Sequence, residues 1–371
     1  MHKIPNTFCP GKWDELHLNL NYNYAYGCCK ATPIKFVKDY KSQLEQQKTN
    51  LLTGVQDPSC NYCWNLENNG QSSLRHEFLN KFDPDTFDSY TVDKIPKFVE
   101  VSLGNECNFQ CTYCNPKFSS KWEQDVRQQP YRVFSDKFFY SIDSKEEHEG
   151  NLELLPPEIK NINIIGGEPL QNKNIWPILQ LKNVEDVGIT VTTNLSNKTT
   201  DQFDRLFATT NKINELRLCV SLDATDSIAE FARYGLDFAL MQRNLQYLID
   251  HAPDNLHIRI LSLMTSITIR DLGNLIDYIA QLKMQHSRLV WEISYCRAPV
   301  IQSFSTLADE YKPKILEQIT QIKQLDYVTG IDSLESALAT YQYNNTLYQQ
   351  LRLFLKEFSE RKHIEIPICL N

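Results

Sequence analysis

The chain has 371 residues, enough for two domains or for one barrel-sized domain with an appendage. Its 42% hydrophobic and 23% charged content is ordinary for a globular protein, and a formal net charge of −8 argues against a general nucleic-acid coat. The opening MHKIPNTFCPGKW lacks the basic-then-apolar pattern of a secretory signal, and no uncharged apolar run reaches the roughly 18 residues that span a membrane. The expectation is a cytoplasmic chain with no membrane partner.

Eleven cysteines without a signal peptide imply a reducing compartment, where thiols hold metal or pack in cores more often than they form disulfides. Cys9, Cys28, Cys29, Cys60, Cys63, Cys107, Cys111 and Cys114 crowd the first third of the chain, with Cys219, Cys296 and Cys369 scattered beyond. Short spacings are what metal ligation requires. From the amino terminus, Cys9 is followed by ELHLNLNYNYAY, an alternating stretch that predicts a β-hairpin, and then by the Cys28–Cys29 pair. Adjacent extended residues point to opposite faces, so only one of that pair is expected to ligate. Cys60 and Cys63 add a C-x2-C, which makes a four-thiolate site credible, and spacing alone leaves zinc and iron–sulfur both open. Residues 1–90 read as a small separate domain that depends on its metal.

From about residue 95, apolar runs of strand length alternate with amphipathic segments. The expected strands are Phe98–Leu103, Ile162–Ile165, Gly188–Thr193, Leu216–Leu222, Leu256–Met264 and Arg288–Tyr295, each buried on both faces. Helical patterns lie between them at Trp176–Leu181, Asp201–Ala208, Phe238–Ile249 and Leu272–Leu282. Six such units predict an α/β fold with a parallel sheet, either open or an incomplete barrel. The interval Pro116–Pro157 is long for one crossover, with aromatic residues Phe134, Phe138, Phe139 and Tyr140 and an acidic loop, SKEEHEG. After Pro299 the pattern turns helical through Ile301–Leu325, Ser333–Tyr341 and Leu347–Glu360, as helices that cap or flank the sheet.

The first expected strand, FVEVSL, runs into GNECNFQCTYCNP, placing Cys107, Cys111 and Cys114 in C-x3-C-x2-C spacing at a strand carboxyl end. A structural zinc or an electron-transferring cluster wants four protein ligands, whereas a [4Fe–4S] cluster held by three leaves one iron open to a small chelate. A zinc loop with a distant fourth ligand is the bland alternative. One strand later comes Gly166-Gly167-Glu168-Pro169. Its glycines let backbone approach a ligand, and Glu168 supplies a carboxylate suited to an ammonium group.

CNFQCTYC, GGEP and the six strand–helix units together resemble the radical S-adenosylmethionine (SAM) superfamily over about residues 95–300. The resemblance implies a partial (β/α)6 TIM-like barrel in which Cys107, Cys111 and Cys114 ligate three irons and SAM chelates the fourth. It implies that Tyr113 lies near the adenine, that Gly166, Gly167 and Glu168 hold the methionine amino group, and that Asn194 and Ser221 contact the cofactor. The implied chemistry is reductive cleavage of SAM to a 5′-deoxyadenosyl radical, with an electron donor such as flavodoxin or ferredoxin. The amino-terminal pattern, with Cys60, Cys63, Trp64, Ser73 and Arg75 in a C-x2-C-W…S-x-R element, is similar to the SPASM/twitch-type branch carrying a twitch-like module ahead of the barrel. That likeness implies one auxiliary [4Fe–4S] cluster, with zinc as the alternative. It departs from the pattern at the hairpin turn, where Asn21–Tyr22–Asn23 stands in place of a glycine.

Expected boundaries are 1–90 for the auxiliary module, 95–300 for the radical SAM core and 301–371 for a helical flank. Cys219 reads as core, Cys296 as core or rim packing, and Cys369 as a free or docking thiol; no histidine, His17 and His257 included, reads as a metal ligand. The leading expectation for substrate is a peptide or protein side chain. A small metabolite, sugar or nucleotide is the second reading, and a metal-stabilised binding protein without catalysis is the third.

Overall fold

A computed structural model describes residues 3–35, 40–134, 155, 158–181, 186–210 and 212–368. Phe138, Phe139, Tyr140, the SKEEHEG loop, Pro157 and Cys369 lie outside the described residues. The strands in chain order are β1 Glu15–Asn19, β2 Tyr24–Tyr26, β3 Ile34–Lys35, β4 Phe98–Ser102, β5 Gln110–Cys111, β6 Asn161–Ile165, β7 Gly188–Thr193, β8 Glu215–Ser221, β9 Arg233–Tyr234, β10 Leu256–Met264, β11 Val290–Tyr295 and β12 Val328–Thr329. All six strands expected from the apolar runs form, as β4, β6, β7, β8, β10 and β11. Helices at Ile175–Leu179, Asp201–Thr210, Phe238–His251 and Leu272–Gln285 alternate with them. This is the parallel α/β alternation that the sequence predicts.

The chain divides into two compact units. The first comprises residues 1–104, 143–165 and 173–189. There β1 and β2 form the expected hairpin, with His17 opposite Tyr26 and Asn19 opposite Tyr24. Its turn needs no glycine because Asn23 itself takes a left-handed conformation (φ 55°), which asparagine tolerates best among residues with a Cβ. The Asn19 side chain also accepts the Tyr22 N–H at 3.0 Å, closing the turn locally. The hairpin is not free-standing: β1 runs parallel to β4 along all five residues, and β4 pairs in parallel with β6. Behind it, Phe8, Trp13, Leu51 and Trp64 form an aromatic core, with Phe8 and Trp13 centroids 5.2 Å apart.

The second unit comprises residues 105–142, 166–172 and 190–371. Here β8, β10, β11 and β12 pair in parallel, and β5 and β9 make a separate antiparallel pair. Burial on both strand faces, expected from the apolar runs, is not what forms. Along β10 residues alternate buried and half-buried through nine positions. The half-buried face carries charge, with Arg259 bonded to Glu292 at 2.6 Å and Arg217 to Glu215 at 2.7 Å. Leucine and isoleucine on the other face had masked that alternation. The helix Asn345–Lys362 packs Leu351, Phe354, Leu355 and Phe358 onto Trp122, Val126, Tyr131 and Phe134, so it braces the helix Ser120–Gln128.

One buried cation in the first unit has a measurable consequence. Lys48, on the helix Tyr40–Leu52, is 5% exposed, and its ammonium donates to the Lys94 carbonyl at 2.8 Å. Burial pushes its pKa down to about 8. Between pH 8 and the unfolded value near 10.5 the unfolded chain binds more protons, so stability rises with pH through that window. Lys48→Met is expected to stabilise the protein by up to roughly 3 kcal/mol at pH 7 and to flatten that rise. Urea denaturation at pH 7 and pH 9.5 measures both.

Candidate metal and cofactor site

In the second unit the cysteine loop is built from short, mutually bonded turns. Cys111 lies on β5 opposite Arg233 of β9. The Cys114 N–H donates to the Cys111 carbonyl at 2.9 Å, and the Phe109 N–H donates to the Cys107 sulfur at 3.4 Å. Ser119 caps the following helix and also donates to the Phe109 carbonyl at 2.7 Å. The Trp122 indole reaches back to the Cys111 carbonyl at 2.8 Å. Burial is the main cause holding all three thiols above their ordinary pKa, Cys107 at about 12. Their mutual repulsion adds to it for Cys107 and Cys114, and Arg233 opposes it.

The GGEP turn is locked to this loop. Gly166 and Gly167 both have positive φ, at 98° and 51°. A Cβ on Gly167 would stand 2.1 Å from the Glu106 carbonyl oxygen, which also accepts the Glu168 N–H at 2.8 Å. Only glycine fits there. Glu168 is 1% exposed, and burial raises its pKa. Its carboxylate accepts from the Leu170 N–H at 3.1 Å, the Thr193 hydroxyl at 2.7 Å and the Asn194 N–H at 2.6 Å. Three of about four lone-pair directions are thus engaged by partners among the described residues. Asn194 is buried and donates through its side chain to Asn108 of the cysteine loop at 3.0 Å, while its oxygen accepts from Ser196. Ser221 ends β8 half-buried, opposite Leu261.

Sequence reasoning missed the group that organises Tyr113. The Tyr113 hydroxyl bonds Asp223, and Arg233 donates to both, at 2.7 Å to Tyr113 and 3.0 Å to Asp223. Asp223 and Arg233 are 2% and 7% exposed, and the Arg233 Nε–H is buried without an acceptor among the described residues. Only Ser221 of this stretch was singled out from the sequence, and neither Asp223 nor Arg233 was. Cys219 and Cys296 are buried, and the Cys296 thiol donates to the Ala298 carbonyl at 3.3 Å.

In the first unit, Cys9, Cys28, Cys60 and Cys63 line one cavity together with Lys12 and Trp64. The Thr32 N–H bonds the Ser59 carbonyl at 2.9 Å, tying the Cys28 turn to the Cys60 turn. Asp57 caps that second turn and accepts from Ser59. Arg75 clamps Glu67, donates to the Asn6 and Phe8 carbonyls, and lies 4.9 Å from the Trp64 ring, which gives the Ser73 and Arg75 element a structural role. Cys29 is absent from the cavity lining and lies instead with Glu15 and His17. Cys28 thus lines the cavity and Cys29 does not, although the two side chains hydrogen-bond to each other.

Both thiol sets were tested against the groups they would hold. A single zinc ion with bonds of about 2.3 Å needs its sulfurs packed within about 4 Å of one another. Among the described residues, neither set is drawn together that tightly. Lys12 is 1% exposed and its ammonium bonds only neutral partners, Gln47 at 2.8 Å and Ser59 at 3.2 Å, with no carboxylate pairing it among the described residues. The Lys12 charge also helps to hold the nearby Asp57 carboxylate below its ordinary range. The Arg233 charge is paired with Asp223, and only its Nε–H lacks an acceptor among the described residues. Each thiol set thus has a buried cation beside it, a setting that suits an anionic, sulfur-ligated group.

Gly167→Ala is expected to cost more than about 1 kcal/mol of stability and to lower iron retention, because the clash displaces Glu106, next to Cys107. A denaturant midpoint and an iron assay on the same preparation check it. Lys12→Met is expected to lower metal content in the first unit's cavity while leaving the other centre loaded, read by iron and zinc analysis.

A family model described as "Radical SAM superfamily" matches residues 101–279. Similar curated proteins include GTP 3′,8-cyclase of Sulfurimonas denitrificans, 26% identical over 155 residues, covering 40% of this chain and 41% of that protein. GTP 3′,8-cyclase of Staphylococcus carnosus is 27% identical over 139 residues, covering 35% of this chain and 34% of that one. The chain thus spans less than half the length of these relatives. Among solved structures, Streptococcus suis SuiB bound to S-adenosylmethionine aligns with a TM-score of 0.40 at 15% identity, over 88% of this chain and 71% of that chain. SuiB bound to precursor peptide SuiA aligns with a TM-score of 0.41 at 14% identity, over 84% and 70%. The matched segment is just under half of the chain and contains Cys107, Cys111, Cys114 and the GGEP turn, so it is over residues 101–279 that the chain is similar to the radical SAM superfamily.

Proposed function

We propose that this chain is an enzyme in which Cys107, Cys111 and Cys114 hold a [4Fe–4S] cluster whose fourth iron takes SAM. The observation that carries the reading is the Gly167–Glu106 lock, which fuses the three-thiol loop to the turn bearing Glu168. When bound, the cluster and SAM supply one-electron cleavage of a carbon–sulfur bond, and hence a radical able to take hydrogen from an unactivated position. The chain's own residues bind and orient. Glu168 offers its remaining carboxylate direction to the ammonium group, and the backbone at Gly166 and Gly167 allows close approach. Tyr113, fixed by Asp223 and Arg233, presents its ring toward the adenine, and the Arg233 Nε–H meets an anionic partner. Asn194 acts through Asn108, holding the cysteine loop, while Ser221 offers a hydroxyl at the strand end.

Cys9, Cys28, Cys60 and Cys63 hold an auxiliary [4Fe–4S] cluster in this reading, within a twitch-like module at residues 1–90 that precedes the core at 95–300 and the helical flank at 301–371. Four thiolates complete its coordination, which suits electron relay. Reducing equivalents come from a flavodoxin or ferredoxin. The substrate is a peptide or protein side chain, the reading favoured by the amino-terminal cysteine pattern. A small nucleotide is the second reading, favoured by the GTP 3′,8-cyclases among the curated relatives.

Anaerobic reconstitution is expected to give about eight irons per chain, and about four if the first unit takes zinc. Dithionite with SAM should release 5′-deoxyadenosine slowly without substrate, and Cys111→Ala should abolish that release. Cys63→Ala should remove only the auxiliary iron. A wild-type protein that binds four irons or more yet releases no 5′-deoxyadenosine is a binding protein, and the proposal fails.

A further inference from the structure

We infer that Glu15, His17 and Cys29 form a divalent-cation site of the zinc type, next to Cys28 but using none of the thiols proposed to hold clusters. The parallel register of β1 and β4 sets His17 directly beside Glu100, and Glu15 projects on the same face two residues before His17. The imidazole is held at both nitrogens: Nδ1 lies 3.0 Å from Glu100 Oε1 and Nε2 lies 3.0 Å from Glu15 Oε2. The Asn163 side chain donates to the other oxygen of Glu100 at 2.9 Å, fixing that carboxylate. Cys29 then brings its sulfur to the same point. One ligand atom each from Glu15, His17 and Cys29 lies within 4.8 Å of the others.

Three features argue for an ion rather than a chance cluster. Zinc bonds of about 2.0–2.3 Å in tetrahedral array need donors about 3.3–3.8 Å apart, so the three groups close on an ion with an adjustment of about an ångström. The donor set of one nitrogen, one oxygen and one sulfur selects a borderline ion such as Zn2+ over Mg2+ or Ca2+. Glu100, behind the far ring nitrogen, supplies the carboxylate that metal-bound histidines customarily use to fix their orientation. His17 is buried, Glu15 half-buried and Cys29 exposed, so the ion has a solvent route and a fourth position open to water.

The test uses the full chain, anaerobically reconstituted, with iron quantified before titration with Co2+ as a spectroscopic stand-in for Zn2+. The expected result is one equivalent of Co2+ bound, with thiolate-to-cobalt charge-transfer and tetrahedral ligand-field bands in the difference spectrum, both bleached by Zn2+. Cys29→Ser should abolish the charge-transfer band and weaken binding by more than about tenfold at unchanged iron content. Glu15→Gln should weaken binding comparably while keeping the band, which guards against a folding defect in either variant. Absence of cobalt binding in the wild type overturns the inference, and so does a charge-transfer band that survives in Cys29→Ser. Loss of iron in Cys29→Ser also overturns it, by placing that sulfur on a cluster. Release of 5′-deoxyadenosine is untouched by any of these outcomes, so failure here is distinguishable from failure of the proposed activity.

Discussion

The constraint on which this molecule depends is the cost of ionising sulfur away from water. Exclusion of solvent pushes Cys9, Cys63, Cys107, Cys111 and Cys114 away from the thiolate form that binds metal. The protein answers with buried cations. Lys12 stands by the thiols of the first unit and Arg233 by those of the second, each with bonding capacity that its own neighbours leave incomplete.

Around that electrostatic requirement the backbone supplies rigidity. Gly167 lets two segments meet at a distance no side chain permits, and Glu168 then binds its own turn to the end of β7 through Thr193 and Asn194. Glu168 therefore braces the turn through three hydrogen bonds to its own chain. The Tyr113–Asp223–Arg233 group fixes the aromatic ring between the second and third cysteines in the same manner. Positioning precedes chemistry at each of these residues.

Much of this was legible in the sequence because it rests on spacing. Three cysteines in eight residues, a double glycine before Glu168 and six apolar runs all survive as one-dimensional patterns, and each marked an element that forms. What was not legible depends on register between distant strands. His17 looked like an ordinary strand residue until β1 paired with β4 and set it beside Glu100. Arg233 carried no sequence signal, and only the pairing of β9 with β5 sets it opposite Cys111. The Cys28–Cys29 pair was ambiguous for the same reason, since pleating says that the two diverge but not which one meets Cys9, Cys60 and Cys63. The expectation that strands would be buried on both faces failed because salt-bridged arginines and glutamates line one face of β8, β10 and β11.

The packing of the helix Asn345–Lys362 on Trp122 bears on how the protein is made. Trp122 secures the Cys111 carbonyl, and the helix that pins Trp122 emerges from the ribosome long after the cysteines, with Arg361 bonding back to Gln129 across 232 positions of chain. During translation the loop is therefore unbraced, its thiols open to oxygen and stray metal. Folding here has an order: the polypeptide is nearly complete before the Cys111 loop is braced, so the geometry of its thiols is settled only after synthesis.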